Sequence, residues 1–208
     1  DTAKPEYQDL DQRVEQRSTE IRNLLLFFEL AWLKVDDAIA AKLMADEQLQ
    51  PYQHYLASLR RYRPHTLSEL EEKLFNEKDN TGRNAFGRLF SEITSSLVFK
   101  LDKDGKTEEL NLSQILSLLH EPDRSLRQRA METVYQELAQ HGQVLTFIYD
   151  TLIQDNLTVD RLRNYLHPME QRHLSNEIDG AAVKTMMAVS ENNYSLAHDY
   201  FCLKAKLL

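Results

Sequence analysis

Chain breakers are scarce in this sequence, with five glycines and five prolines among 208 residues. Glycine opens the left-handed backbone region and proline removes an N–H, so these residues are the usual exits from a helix. Their scarcity favours long helices. The apolar spacing agrees. Leu10, Val14, Ile21, Leu24, Leu25, Phe28, Ala31 and Trp32 recur at helical intervals. They predict one long amphipathic helix from about Pro5 to Lys34, with Pro5 in its first turn. Asp36 is placed to cap a shorter helix through Ile39, Leu43 and Met44. Pro51 is expected to open another, carrying Tyr52, Tyr55, Leu56 and Leu59. Pro64 ends it, because a proline disfavours helix at the preceding residue.

The next helix start is chemically specified. Ser68-Glu69-Leu70-Glu71 is a capping box, in which the serine hydroxyl accepts from the Glu71 amide while that carboxylate reaches back. Thr66 and Glu69 offer the same box one register earlier. This helix is expected to run to about Lys78 and to break at Asp79-Asn80-Thr81-Gly82. Ala85, Phe86, Leu89, Phe90 and Ile93 then form an apolar helical face.

One stretch, about 97–112, reads as a β-hairpin. Asp104-Gly105 is a favoured two-residue turn. Pairing outward from it sets Phe99 opposite Leu110 and Leu97 opposite Leu112, while Lys100 and Glu109 face each other on the other side. Helices resume at Pro122-Asp123, with Asp123 as cap and Leu126, Ala130, Val134 and Leu138 as the buried line. Gly142 introduces Leu145, Ile148, Leu152 and Ile153. Pro168 interrupts, a short helix follows, and Gly180 precedes one last helix. Its apolar stripe is Val183, Met186, Met187, Tyr194, Ala197 and Phe201. The expected fold class is therefore mainly α, a multi-helix domain with one small hairpin. The expected division is 1–66, long amphipathic helices, and 67–208, a helical region with the hairpin, together one contiguous portion of a larger protein. No repeat of fixed period points to a solenoid.

Composition narrows the function classes. A formal charge of −8 argues against nucleic-acid binding, which favours a positive surface. The single cysteine, Cys202, cannot form an internal disulfide and suits a reducing compartment. The longest apolar run, Leu24-Leu25-Leu26-Phe27-Phe28, is broken by Glu29 and is far shorter than a membrane span requires. Asp1-Thr2-Ala3-Lys4 has no apolar signal core, and Leu203-Lys204-Ala205-Lys206-Leu207-Leu208 has no glycine cap. Both ends read as those of an excised segment.

Candidate chemistry is thin. His120-Glu121-Pro122-Asp123-Arg124 begins like a zinc helix, but Arg124 stands where the second histidine must be and Pro122 removes the needed helical backbone. Glu170 and His173 have the E-x-x-H spacing of bundle metal sites, yet that chemistry needs a second such pair and further carboxylates. Surface residues are the expectation for His167, Glu170 and His173. Arg60-Arg61-Tyr62-Arg63 could hold phosphate, but cations in a last helical turn are favoured by the helix dipole, so a solvated helix end is expected. Met186, Met187 and Cys202 are expected to pack in a core. There is no G-x-S-x-G, no phosphate-cradling glycine loop and no C-x-x-C. No catalytic or metal-binding residue is assigned, and the substrate-binding residues are unknown.

The run from Arg60 through Arg61-Tyr62-Arg63-Pro64-His65-Thr66-Leu67-Ser68-Glu69 to Leu74 resembles the "R-x-R-P-H-T-L-S-E-x-E-E-x-L" segment of the oligoendopeptidase F family. Those enzymes are zinc metallopeptidases of the thimet-like group. Phe86-Gly87-Arg88-Leu89-Phe90-Ser91-Glu92-Ile93 resembles the family's "x-x-R-L-F-D-E-L" helix, with Ser91 replacing Asp. Leu110-Asn111-Leu112 resembles its return strand, and Glu121 to Arg127 its "x-x-D-R-x-x-R" helix start. Arg163-Asn164-Tyr165 stands where many relatives read "R-G-Y", so Asn164 departs from the pattern. Asn176-Glu177-Ile178 and the stretch Tyr200 to Leu208 resemble "N-x-I … Y-Y-x-L-K-A-K-L-L". The likeness covers about Pro51 to Leu208, and earlier residues share helical character only.

The resemblance implies a mostly helical, cytoplasmic peptidase that cleaves short peptides in a deep cleft. Zinc would belong to the intact parent, on a helix carrying H-E-x-x-H, a motif this sequence lacks. The chain would then be the N-terminal, non-catalytic part, contributing cleft wall and inactive alone, with none of the zinc. Its partner would be the C-terminal catalytic half of the same polypeptide, with no nucleic acid and no membrane involved. The alternative is a helical protein-interaction module without enzymatic activity.

Overall fold

Capping side chains set most of the helix starts. The computed structural model describes residues 5–103 and 105–207. Helix α1 spans Pro5–Lys34 and α2 spans Asp37–Met44. The Asp36 carboxylate accepts from the Ala38 amide at 2.9 Å and so starts α2. A 3₁₀ turn, Glu47–Tyr52, carries Pro51 and leads into α3, Gln53–Arg61. Pro51 thus lies one short element ahead of the helix it was expected to open, because Asp46 already caps that turn through the Gln48 amide. Pro64 sits in a second 3₁₀ turn, Arg63–His65.

Helix α4, Glu69–Thr81, begins at the reciprocal Ser68–Glu71 capping box. The earlier register is not used, since Thr66 donates its hydroxyl to the Tyr62 carbonyl at 2.8 Å. The helix runs past Lys78 to Thr81, and Gly82 separates it from α5, Arg83–Ser96.

Strands β1, Phe99–Lys103, and β2, Lys106–Leu110, pair antiparallel with Phe99 opposite Leu110 and Lys100 opposite Glu109. Lys100 and Glu109 form an ion pair at 3.5 Å. Gly105 takes a left-handed φ of 77°, as the turn requires. Its expected turn partner Asp104 lies outside the described residues, as do Asp1-Thr2-Ala3-Lys4 and Leu208. The ladder stops short of the expected Leu97–Leu112 pair. Asn111 instead caps α6, Leu112–Ser117, accepting from the Gln114 amide at 2.9 Å while its own amide donates to the Gln114 side chain at 2.8 Å. Leu112 therefore starts a helix rather than ending a strand.

A 3₁₀ turn, Leu118–His120, precedes α7, Arg124–Gln140, which Asp123 caps through the Ser125 amide. Helix α8 is Gly142–Leu162 and α9 is Glu170–Ser175. The single last helix expected from the sequence is two helices, α10, Gly180–Asn192, and α11, Tyr194–Leu207. Asn193 makes the break. Its side-chain amide donates to the Val189 carbonyl at 2.7 Å, competing with the continuing backbone ladder. Among the described residues, no helix is long and apolar enough to cross a membrane.

The chain forms two compact units, one comprising residues up to 31 and 67–158, the other residues 32–66 and those from 159 onward. In the first, Leu97, Phe99, Leu101, Ile115, Leu126, Ala130 and Val134 pack together, drawing one face of the hairpin onto α6 and α7. Phe99 and Ile115 are completely buried. The second has a smaller core of Trp32, Ala40 and Leu56, with Val35, Met44 and Leu59 beside it.

Helix α1 corrects the sequence reading. Of the expected stripe, Leu10, Val14, Ile21, Leu24, Leu25 and Phe28 remain exposed. Trp32 is buried as expected, and the other buried residues of the helix are Thr19, Leu26, Leu30 and Leu33. That set is partly polar: Thr19 donates to the Asn80 side chain at 3.1 Å, and Asn23 donates to Glu77 at 2.8 Å. Glu15, one turn earlier, pairs with Arg88.

Candidate functional site

The segment Arg60 to Leu74, richest in family-like residues, is a structural junction. Helix α3 brings Arg60 against the end of α1. Its guanidinium donates to the carbonyls of Trp32 at 3.0 Å and Val35 at 2.9 Å, and also to Asp37. It lies 5.4 Å from the Trp32 ring centre, and Trp32 donates its indole N–H to the Leu56 carbonyl at 2.9 Å. Arg63 reaches the same Asp37 carboxylate at 3.1 Å. The Arg60 hydrogen bond, with the charges of Arg60 and Arg63, holds Asp37 below the usual carboxylate range. The solvated helix end expected from sequence is overturned for Arg60, whose side chain is only 12% exposed. The fork gives the Val35 carbonyl a donor at the end of the helix and adds a second to the Trp32 carbonyl, which also accepts from the Val35 amide at 3.2 Å.

His65, buried in the same unit, donates Nδ1–H to the Arg163 carbonyl at 2.9 Å, and Arg163 donates back to the His65 carbonyl at 3.2 Å. The His65 ring stacks on Tyr165 with centroids 4.0 Å apart and planes 17° from parallel. Burial pushes the Tyr165 hydroxyl above its ordinary pKa. Asp160 is buried on α8. Desolvation raises its carboxyl, and the Glu170 charge adds to that shift.

Two helix ends share an uncommon geometry. At the end of α8 the Tyr165 amide donates to the Asp160 carbonyl at 2.8 Å and Asn164 to Arg161 at 3.4 Å. At the end of α9 the Ile178 amide donates to the His173 carbonyl at 3.0 Å and Glu177 to Leu174 at 3.1 Å. Both are Schellman caps, whose key residue must adopt a left-handed conformation that glycine takes without cost. Asn164 has φ 59° and Glu177 has φ 54°. The asparagine at the family's "R-G-Y" glycine is thus a conservative departure, because asparagine tolerates this region better than other side chains. Glu177 has no such preference. Its carboxylate accepts from Ser58 at 2.7 Å and from His54 at 2.8 Å, and lies 3.3 Å from Arg61. The Ser58 hydrogen bond, reinforced by the charges of His54 and Arg61, holds Glu177 below the usual range.

The histidine motifs do not assemble. His120 closes a 3₁₀ turn, and the carbonyls of Glu121 and Pro122 accept from Arg127 at 2.7 and 2.8 Å. Glu170 starts α9 and its carboxylate accepts from the Leu166 amide; it and His173 are half-buried, and His167 is exposed. Among the described residues, no three of His, Cys, Asp and Glu gather as a metal ion would need. A polar groove of about 440 Å³ on the first unit is lined by Gln16, Asn80 and the Arg88–Glu15 pair, among others.

Helices α10 and α11 carry an uncovered apolar surface. Every residue from Lys184 to Leu207 is exposed, including Met186, Met187, Tyr194, Leu196, Phe201, Cys202 and Leu203. The core placement expected for Met186, Met187 and Cys202 is therefore overturned, because among the described residues of the second unit nothing covers α10 or α11 there.

Residues 32–99 match the family model described as Oligopeptidase F, a stretch that contains both Arg60–Leu74 and the Arg88 helix. Over this stretch the chain is similar to the oligopeptidase F family. It is 24% identical to the oligopeptidase PepF of Bacillus subtilis (strain 168) over 213 residues, covering all of this chain and 32% of that protein. The group B oligopeptidase PepB of Streptococcus agalactiae serotype III (strain NEM316) is 23% identical, again over all of this chain and 35% of its own length. The chain thus corresponds to the N-terminal part of the family and spans about a third of the length of the curated relatives it matches. The fold is also that of the oligoendopeptidase-F of Enterococcus faecium, with a TM-score of 0.88, 24% identity, and coverage of 100% of this chain and 42% of the other. These likenesses extend over the first fifty residues as well, beyond the Pro51 limit read from motifs.

Proposed function

We propose that this chain is the non-catalytic N-terminal portion of a zinc-dependent oligoendopeptidase, one that hydrolyses short peptides in the cytoplasm and uses these helices as part of its cleft wall. The observation that carries this reading is the joint presence of family likeness and uncovered apolar helix faces. Exposed Leu24, Leu25, Phe27 and Phe28 on α1, and Met186 to Leu203 on α10 and α11, form more apolar surface than a finished monomer tolerates. The catalytic half of the same polypeptide is the partner that suits them.

Zinc would polarise a water and a scissile carbonyl in such an enzyme. The described side chains of this chain do not fit that role, so no hydrolytic step is assigned to them. Their part is positional, restricting access by size.

The coding sequence provides the first test. Continuation in frame past Leu208 with an H-E-x-x-H motif is expected. The resulting protein is expected to cleave short peptides and to lose that activity to a chelator, while the 208-residue chain alone cleaves nothing. Deleting residues 1–208 is expected to relax the limit on substrate length or to prevent folding. A stable truncation with unchanged length selectivity overturns the wall role. A stop codon after Leu208 overturns the peptidase reading and favours the alternative, a helical module whose exposed apolar face binds another protein.

A further inference from the structure

We infer that Glu177 is an orienting latch, whose side chain fixes the direction in which the α10–α11 arm leaves the second unit. Residue 177 occupies the left-handed position of a Schellman cap, where glycine is the default and a glutamate is strained. Local sequence preference therefore opposes Glu at this position. Something outside the cap must reward it.

That reward is visible one helix away. Ser58 Oγ, His54 Nε2 and Arg61 all converge on the one carboxylate, at 2.7, 2.8 and 3.3 Å. They come from successive turns of α3, an element held by the buried Leu56 and by the Arg60 fork. The link from Asn176 to Asp179 is thereby fastened to a rigid helix by a side chain rather than by backbone packing. Immediately beyond it, Asp179 caps α10 through the Ala181 amide at 2.9 Å. The arm has little else to set its angle, since its residues from Lys184 onward are exposed.

The latch thus converts a local strain into a directional constraint. Released, residue 177 keeps its cap but loses its anchor, and the arm pivots at the link. Such a device holds the apolar face of α10 and α11 in one presentation while adding no apolar contact of its own.

Two variants separate the side chain from the backbone. Glu177→Gly retains the left-handed conformation without strain and deletes the carboxylate. His54→Ala, Ser58→Ala and Arg61→Ala together remove the donors and leave residue 177 intact. The full chain carries one cysteine, exposed Cys202 on α11. Spin labels there and at Gln53→Cys on α3 report the distance across the latch. The parent is expected to give a single narrow distance. Both variants are expected to broaden it, with cleavage of the 176–180 link by a dilute protease rising about three- to tenfold, as loss of exposed charge-assisted contacts permits. Glu177→Gly is expected to leave Tm unchanged or raised. Narrow distances and parental cleavage rates in both variants would overturn the latch. Should Glu177→Gly lower Tm, the α3 triple variant decides: broadening supports the proposal, and a parental distance refutes it.

Discussion

Helix α7 and the α10–α11 pair carry apolar stripes of similar strength and meet opposite fates. Leu126, Ala130 and Val134 on α7 are buried against Phe99, Leu101 and Ile115. Met186, Met187 and Phe201 are each more than half exposed. Periodicity states that a face requires cover; it does not state which chain provides it. Helix α1 makes the same point within one element, since its most apolar line is exposed and a partly polar line is buried.

The contrast is sharpest for two phenylalanines. Phe99→Ala is expected to cost about 3–5 kcal/mol, because its site is fully enclosed and a cavity would remain. Phe201→Ala is expected to change the stability of this chain by less than about 0.5 kcal/mol. Denaturant unfolding of both variants breaks the comparison if the two losses are similar.

Arg60 tests whether the smaller core depends on polar ties. Arg60→Ala removes the donor of the Val35 carbonyl and leaves the Trp32 carbonyl only the Val35 amide, and is expected to cost about 1–3 kcal/mol. Trp32 is the only tryptophan, so its fluorescence is expected to shift to the red as water reaches the ring. An unshifted spectrum would mean that the core is closed without the fork. A smaller effect is expected at the α8 cap. Asn164→Ala is expected to cost about 1 kcal/mol through left-handed strain, and Asn164→Gly to be neutral or stabilising. Equal stabilities of the two variants would contradict the cap geometry.

The pH response divides the carboxylates. Asp123 is held low by hydrogen bonds from Ser125, and Glu71 by those from Ser68. Such groups stabilise the fold above the unfolded carboxylate value near about 4, and the contribution is lost as pH falls through their lower folded values. Asp160 runs the other way. Its raised folded pKa means that ionisation opposes folding, so its contribution is favourable below the unfolded value and lost as pH rises through the folded one. Asp160→Asn is expected to flatten the pH dependence of Tm in that window. An unaltered profile would contradict the assignment.

Caps and turns were the legible part of the fold. Asp36, Ser68 and Asp123 each start the helix expected of them, and the hairpin takes the register its alternation implied. Legibility failed where two local signals compete, as at Asn111, whose cap shortens the strand, and at Asn193, whose amide divides one helix into two. It failed again where the determining contact is distant in sequence. Arg60 looks like a helix-end cation until the α1 carbonyls are beside it, and nothing local marks Glu177 as left-handed. The junction residues that carry the family likeness were visible as a pattern, but their role as ties was not.

Hydrogen exchange over α10 and α11, compared between this chain and the intact gene product, tests the central claim most directly. Rapid exchange from Lys184 to Leu207 is expected in the isolated chain, and strong protection of the same amides in the intact protein. Equal exchange in both would mean that the rest of the polypeptide does not cover this face, and the scaffold reading would fail.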